Sequence, residues 1–234
     1  MTWLEDKTAI VTGSTRGIGL EIARLLLRQG MNVVVFCRHK EHGKQAEQDL
    51  RKDGEVHIMH GDVRKMDDVK RIVQETIELF GGIDVLVNNA GTAIYKETEY
   101  TSEQEFDDVL DTNLKGSFLF IHEVLPIMKR NGQGRIINIA SGLGLKGKAK
   151  YSGYCPLKFG LIGLTQVVAD ETQKTGVVCV AIAPGAVATK LHFDVHPWEN
   201  AKKMMTPQYI AESIFKKTLS DKLPKNGALF EIYR

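Results

Sequence analysis

The chain has 234 residues, 43% of them hydrophobic and 26% charged, with a net charge of +2. That composition is ordinary for a folded globular protein, and the charge gives no case for nucleic acid or an anionic membrane surface as partner. The length suits one domain over residues 1–234, since α/β chains of about 200–250 residues commonly fold as one unit. Cys37, Cys155 and Cys179 are odd in number and form no Cys-x-x-Cys pair. A reduced, cytoplasmic setting is expected, with no disulfide frame and no zinc site. Residues 1–7 lack a basic end followed by an apolar run, so no signal peptide is expected. No apolar run approaches the ~20 residues of a membrane-spanning helix.

Thr8 to Thr12 is a short β-branched run stopped by Gly13, and it predicts a buried strand. Gly13, Ser14, Thr15, Arg16, Gly17, Ile18 and Gly19 follow. Over Leu20 to Gln29 the residues Ile22, Leu25, Leu26 and Gln29 mark one helical face, and Gly30 stands where a stop is expected. Strand, glycine loop and helix make the opening half of a dinucleotide-binding unit. Glycines let the backbone approach a pyrophosphate, and the helix N-terminus offers free N–H groups and a positive dipole end. The spacing is Gly-x-x-x-Gly-x-Gly, not Gly-x-Gly-x-x-Gly. A plain glycine turn is the weaker reading, because the loop lies between a strand and a helix.

Asn32 to Cys37 predicts the second strand, followed by Arg38, His39 and Lys40. In such units an acid near the end of this strand binds the ribose 2′-hydroxyl, while an arginine accommodates a 2′-phosphate. Neither Cys37 nor Arg38 is acidic, and Arg16 adds a second positive charge nearby. A guanidinium suits phosphate, so the residues favour NADP over NAD.

Further strands are predicted at Glu55–His60, Ile83–Val87, Arg135–Ala140, Val177–Ala183 and Ala228–Tyr233. Helices are predicted at Glu41–Lys52, Met66–Phe80, Glu103–Asp111 with a Ser102 cap, Asn113–Lys129, from about Gly153–Cys155 to Glu171, and Pro207–Leu219. Asn113, at a helix start, reads most simply as a cap. Leu191 to Met205 reads as irregular, a candidate lid. The alternation predicts an α/β chain with a doubly wound, Rossmann-type parallel sheet of about seven strands and helices on both faces. Gly61-Asp62-Val63 and Asn88-Asn89-Ala90-Gly91 then fall at C-terminal strand ends, where ligands sit in open α/β sheets.

Tyr154 and Lys158 are four apart, so on a helix they lie side by side. A nearby ammonium favours the phenolate, which lowers the phenol's pKa and suits it to proton transfer. Ser141 closes the fifth strand, where its hydroxyl is placed to share a substrate oxygen with Tyr154. Taken alone, a Tyr-x-x-x-Lys is most often a surface pair.

Jointly these motifs resemble the short-chain dehydrogenase/reductase family, from Lys7 to about Thr189: Thr12-Gly13-x-x-x-Gly17-x-Gly19, Asp62, Asn88-Asn89-Ala90-Gly91, Asn113, Ser141, Tyr154-x-x-x-Lys158, and Pro184-Gly185 with Thr189. Gly134 to Thr189 looks most like the 3-oxoacyl-(acyl carrier protein) reductase and carbonyl reductase branch. The resemblance implies an NADP(H)-dependent oxidoreductase that moves a hydride between nicotinamide and a ketone or secondary alcohol. It implies Tyr154 as proton donor and base, Ser141 as holder of the substrate oxygen, Lys158 on the nicotinamide ribose, and Asn113 positioning a relay water. Asp62 and Val63 would contact adenine. Asn88, Ala90 and Gly91 would line the cofactor, and Pro184, Gly185, Val187 and Thr189 would lie against the nicotinamide end. It also implies a homotetramer or homodimer, with the Asn113 and Tyr154 helices at an interface.

Pro156 departs from the small residues usual between the Tyr and the Lys. A proline is harmless only in a helix's first turn, so the helix is expected to start near Gly153–Cys155. Three other readings stay open. The chain is a non-catalytic NADP-binding regulator, an NAD-preferring alcohol dehydrogenase of the same fold, or a zinc enzyme using His192, Asp194 and His196. The zinc reading is the weakest, because these histidines fall in an expected loop beside a complete metal-free set. The substrate itself is not readable: 3-oxoacyl thioesters, cyclic ketones, sugars and small aliphatic ketones all remain.

Overall fold

The computed structural model describes residues 3–233. Seven strands are formed: β1 (Thr8–Thr12), β2 (Asn32–Cys37), β3 (Val56–His60), β4 (Val85–Asn88), β5 (Gly134–Ile139), β6 (Val177–Pro184) and β7 (Leu229–Ile232). They pair in parallel in the order β3-β2-β1-β4-β5-β6-β7. All five residues of β1 and all eight of β6 are buried, as expected of strands covered on both faces. The order reverses direction between β1 and β4, and the crevice at such a reversal is where open α/β sheets bind ligands.

The helices are α1 (Gly17–Arg28), α2 (Lys40–Leu50), α3 (Met66–Phe80), α4 (Glu103–Leu110), α5 (Gly116–Asn131), α6 (Cys155–Glu171), α7 (Lys190–Val195) and α8 (Pro207–Ile214). Alternate residues of a strand face opposite sides, and β2 shows the consequence. Val33 and Val35 pack with Ile22, Leu26 and Ile210, in a core covered by α1 and α8. Val34 and Phe36 pack with Ile72, Phe120 and Val168, in a second core covered by α3, α5 and α6. Among the described residues, no helix is long and apolar enough to cross a membrane.

Most strand and helix ends shift by one to five residues from the sequence expectation, and three differences bear on the site. The first helix starts at Gly17, not Leu20, so the last two glycines of the loop lie in its first turn. Asn113 caps nothing. A π-helical turn over Asp111–Lys115 joins α4 to α5 in one continuous rod, and Asn113 lies inside it. The segment 191–205 is not irregular throughout: it holds α7 and a 3₁₀ turn at Ala201–Lys203. The expected Ser102 cap is present as a full capping box with Glu105.

Phe120 is fully buried and meets Phe36 edge to face, with ring centroids 5.3 Å apart. Phe120→Ala is expected to lower unfolding free energy by about 3–5 kcal/mol, through lost burial and the cavity left behind. Urea unfolding of the variant against the parent checks this.

Candidate active site

Two joined cavities open over the C-terminal edge of the sheet. The larger, about 650 Å³, lies over β1 to β4; the smaller, about 450 Å³, lies over β5 and β6. Ile18, Asn89, Gly91, Ala93, Thr189 and Leu191 line both. Each volume is in the range of a small-molecule or cofactor site.

The larger cavity is built by backbone approach. Gly13 has a φ of +64°, and a Cβ there would stand 2.7 Å from the Ala90 Cα. Only glycine lets the loops after β1 and β4 meet so closely. α1 then begins at Gly17 with no side-chain cap and no acid in its first turn. Its first N–H groups and its dipole are left for an anion. Thr15, Arg16, Gly17 and Ile18 line the cavity. Ser14 and Gly19 do not. The Ser14 hydroxyl is buried and donates to the Val11 carbonyl at 2.6 Å, and a Cβ at Gly19 would stand 2.9 Å from the Gly13 carbonyl oxygen. Both shape the loop from behind.

Asn88 is also displaced from its expected place on the wall. It ends β4 as a buried residue, and its amide donates to Asn138 Oδ1 at 2.8 Å, inside the sheet. The next residue, Asn89, faces the cavities instead. Its amide donates to the carbonyls of Thr12 (2.9 Å) and Gly13 (3.1 Å), stapling the glycine loop to the end of β4. Ala90 and Gly91 line the wall as expected. At the far end stand Cys37, Arg38 and His39, with no carboxylate among them.

Asp62 and Val63 line the same cavity, joined by Arg64, which the sequence reading passed over. Arg64 donates to Asp62 Oδ2 at 2.7 Å and to Asp108 at 2.9 Å. Burial pushes the Asp62 carboxyl up, but its bonds to Arg64 outweigh that and hold it below the usual carboxylate range. No sequence spacing marks Arg64, because its second partner lies on α4.

The smaller cavity gathers Asn113, Ser141, Tyr154 and Lys158 with Pro184, Gly185, Val187 and Thr189. α6 begins at Cys155, with Pro156 in its first turn and Tyr154 as the residue before it. A proline there removes no helical bond. The backbone of Lys158 donates to the Tyr154 carbonyl at 3.2 Å, so the four-residue spacing is kept. Lys158 Nζ lies 5.5 Å from the Tyr154 ring centroid and donates to the Ile139 carbonyl at 2.9 Å. Burial drives the Lys158 ammonium down to about 8. Tyr154 does not behave as its sequence neighbour suggested. Burial pushes its phenol up to about 12, and only the nearby Ser141 hydroxyl pulls it back. Desolvation outweighs proximity here, and the hydrogen bond of Lys158 Nζ goes to the Ile139 carbonyl, not to the phenol. Ser141 Oγ accepts the Leu143 N–H at 3.1 Å, which anchors the turn after β5.

Asn113 reaches this cavity from the π-helical turn. Its amide donates to the carbonyls of Thr92 and Val109, each at 2.9 Å. Its Oδ1 is buried with no partner. Tyr151, His196 and Tyr233 also line the cavity; Tyr151 and Tyr233 were marked by no motif, and His196 only as a candidate zinc ligand. The Tyr233 ring sits where two glycines leave room. A Cβ at Gly142 would stand 2.7 Å from its hydroxyl, and one at Gly185 2.8 Å from its ring. His192 and Asp194 are separately engaged. His192 pairs with Glu199 at 3.0 Å, and Asp194 with Lys190 at 2.6 Å.

The depressed Lys158 pKa carries a stability signature. Between pH 8 and 10.5 the unfolded chain keeps this proton while the folded protein has released it, so stability from this group rises with pH across that window. Urea unfolding at pH 7.5 and 9.5 is expected to show the rise in the parent and lose it in Lys158→Met.

The family model described as short chain dehydrogenase matches residues 7–200. A 3-oxoacyl-[acyl-carrier-protein] reductase from Staphylococcus epidermidis is 39% identical over 188 residues, covering 80% of this chain and 77% of the relative. An uncharacterised oxidoreductase from Staphylococcus aureus is 34% identical over 214 residues, 92% of this chain and 91% of its own. Among solved structures, levodione reductase superposes with a TM-score of 0.91 at 30% identity, over 97% of this chain and 96% of that one. A variant of actinorhodin polyketide ketoreductase with NADPH gives 0.90 at 30%, over 99% and 97%. A glycine loop at an uncapped helix, joined to a cavity holding Ser141, Tyr154 and Lys158, is thus found in a chain that belongs to the short chain dehydrogenase family and is an oxidoreductase.

Proposed function

We propose that the protein is an NADPH-dependent reductase of a ketone, with Tyr154 as its proton donor. The observation that carries this reading is the convergence of Ser141, Tyr154, Lys158 and Asn113 on a cavity continuous with the glycine-loop cavity. The residues fit a dinucleotide. The cradle at Gly13 would be filled by any side chain, the α1 N-terminus is free for a pyrophosphate, and Arg16 and Arg38 offer guanidinium groups to a 2′-phosphate. Asp62 and Val63 would hold the adenine, with Arg64 fixing the carboxylate. Ala90, Gly91, Pro184, Gly185, Val187 and Thr189 would hold the rest, down to the nicotinamide. When bound, NADPH supplies the hydride.

The chain's own residues do the rest. Ser141 donates a hydrogen bond to the substrate carbonyl and fixes the oxygen beside Tyr154. Tyr154 transfers its phenolic proton to that oxygen as the alcohol forms, and takes it back in the oxidative direction. The high phenol pKa of the free site suits an acid that must stay protonated until charge develops on the substrate. Lys158 supplies a positive charge near the phenolate that remains, stabilising it once solvent is excluded. The partnerless Asn113 Oδ1 is an acceptor for a buried water, which would refill the proton through Lys158.

The relatives support a ketone as substrate. One is a reductase of 3-oxoacyl groups on acyl carrier protein, and two solved neighbours are a levodione reductase and a polyketide ketoreductase. A 3-oxoacyl thioester is therefore the first ketone to try. The chain works as one domain over residues 1–234, in the cytoplasm, where its three free thiols stay reduced. It assembles as a homotetramer or homodimer. Phe118 on α5 and Phe159 and Val167 on α6 are exposed apolar residues that support contact through those helices.

Tyr154→Phe is expected to cut turnover by about 10²–10⁴-fold while NADPH binding stays near the parent value. Loss of nicotinamide absorbance with a ketone panel, run beside NADPH titration, checks both. Parent-level turnover in this variant would sink the mechanism. Arg38→Ala is expected to lower the preference for NADPH over NADH by about tenfold or more, the worth of one charge-assisted phosphate contact of about 1.5–3 kcal/mol. Parallel titrations with the two cofactors give the ratio.

A further inference from the structure

We propose that Tyr151 and His196 form a latch that holds the segment after β6 over the substrate cavity and sets substrate affinity, an inference that rests on the reductase reading above. The segment leaves and returns at one place. Val187 and Met205 form an isolated parallel bridge, with the Ala188 N–H donating to the Met205 carbonyl at 2.9 Å. Between those closed ends, residues 190–204 wrap the mouth: Leu191 borders both cavities, and His192, Val195, His196 and Glu199 border the substrate side. Its polar contacts are mostly internal, Lys190 with Asp194 and His192 with Glu199. Among the described residues, and apart from the cap that the adjoining Thr189 Oγ1 gives the His192 N–H, the hydrogen bond between the Tyr151 hydroxyl and His196 Nε2 is the one side-chain hydrogen bond that joins this segment to the rest of the protein.

The bond lands next to the reacting group. Both side chains are buried, Tyr151 at 6% exposure and His196 at 4%. The Tyr151 carbonyl accepts the N–H groups of Tyr154 (3.0 Å) and Cys155 (2.8 Å), so this residue also starts α6. Its ring centroid lies 6.2 Å from that of Tyr154. A substrate that enters meets a wall held by this hydrogen bond together with the packing of the Tyr95 ring on His196 and Trp198. His196 and Tyr151 touch no reacting atom in this account; they are positioning residues.

The histidine sits among rings and charges of the neighbouring elements. Facing His196 are the rings of Tyr95 (4.6 Å), His192 (5.1 Å) and Trp198 (5.4 Å), and the charges of Lys148 and Glu199 act on it. Its Nδ1 is buried without a partner. Burial holds the imidazole below its ordinary value, with Lys148 and His192 working the same way and Glu199 opposing them. The surroundings thus favour the neutral imidazole.

The test uses Tyr151→Phe, His196→Phe and the double variant in the full chain, with NADPH and the best ketone of the panel. KM for the ketone is expected to rise about fivefold to tenfold in each, with kcat within about twofold, the effect of one buried hydrogen bond. The double variant should be no worse than either single one, because both remove the same bond. Trypsin cleavage at Lys202 and Lys203 gives a readout independent of turnover. It should quicken in both single variants while melting temperature falls by no more than about 4 °C. Unchanged KM with unchanged cleavage, additive losses, or kcat and melting temperature falling together would each overturn the latch. If the parent reduces no ketone, the reductase reading fails, and the cleavage rates alone decide whether the latch exists.

Discussion

At the C-terminal end of β5 an ammonium has been taken out of water and set against a backbone carbonyl. Taking a charge out of water is costly unless partners are supplied, and in the free site Lys158 finds only the oxygen of Ile139. The arrangement needs the first turn of α6 and the 3₁₀ turn at Gly142–Gly144 in direct backbone contact. A Cβ at Gly144 would stand 2.8 Å from the Lys158 carbonyl oxygen. The same contact brings Ser141 and Tyr154 onto one wall. The tyrosine's high pKa, the lysine's low one and the placing of Ser141 are thus consequences of one packing arrangement.

The other half of the site is held by neutral bonds. Thr12 Oγ1 accepts the N–H groups of Asn89 and Ala90, each at 3.0 Å, while the Asn89 amide returns to the backbone of Thr12 and Gly13. These bonds close the crevice between β1 and β4, where the strand order reverses. With the glycine loop tied to the end of β4 by the chain itself, the cradle is formed before any ligand arrives, and binding need not spend free energy on ordering it. Behind the wall, Asn88, Asn138 and Thr165 form a buried hydrogen-bonded chain from β4 through β5 to α6. It ties the elements behind the two cavities to one another.

The electrostatics divide along the same line. The end over β2 presents Arg16 and Arg38 with no acid at the strand terminus, an environment for phosphate. The end over β5 and β6 is lined by rings and apolar side chains around a few titratable groups whose charged forms burial disfavours. A polar, reactive group in such a place acts with more force than it would in water.

Much of this was legible in the residues. The bounds of β1, β2 and α3 follow from β-branched runs and from a 3.6-residue stripe, because burial of one face is a local, periodic demand. The glycine loop, the Pro156 boundary and the Ser102 cap are likewise local chemistry, decided within one turn of chain. Strand alternation also held the information that Asn88 and Asn89 point opposite ways, though a motif read as a block hides it. The rest was decided by tertiary structure. The direction of the Tyr154 shift depends on how much water is excluded, which no spacing encodes. Asn113 lies in a π-helical turn that joins two helices into one rod, with its amide held by the carbonyls of Thr92 and Val109. Arg64 with Asp108, Tyr151 with His196, and Tyr233 against Gly142 and Gly185 join residues far apart in the chain. Periodicity reports what each segment buries, whereas which distant side chains meet, and how dry the meeting is, depends on the packed whole.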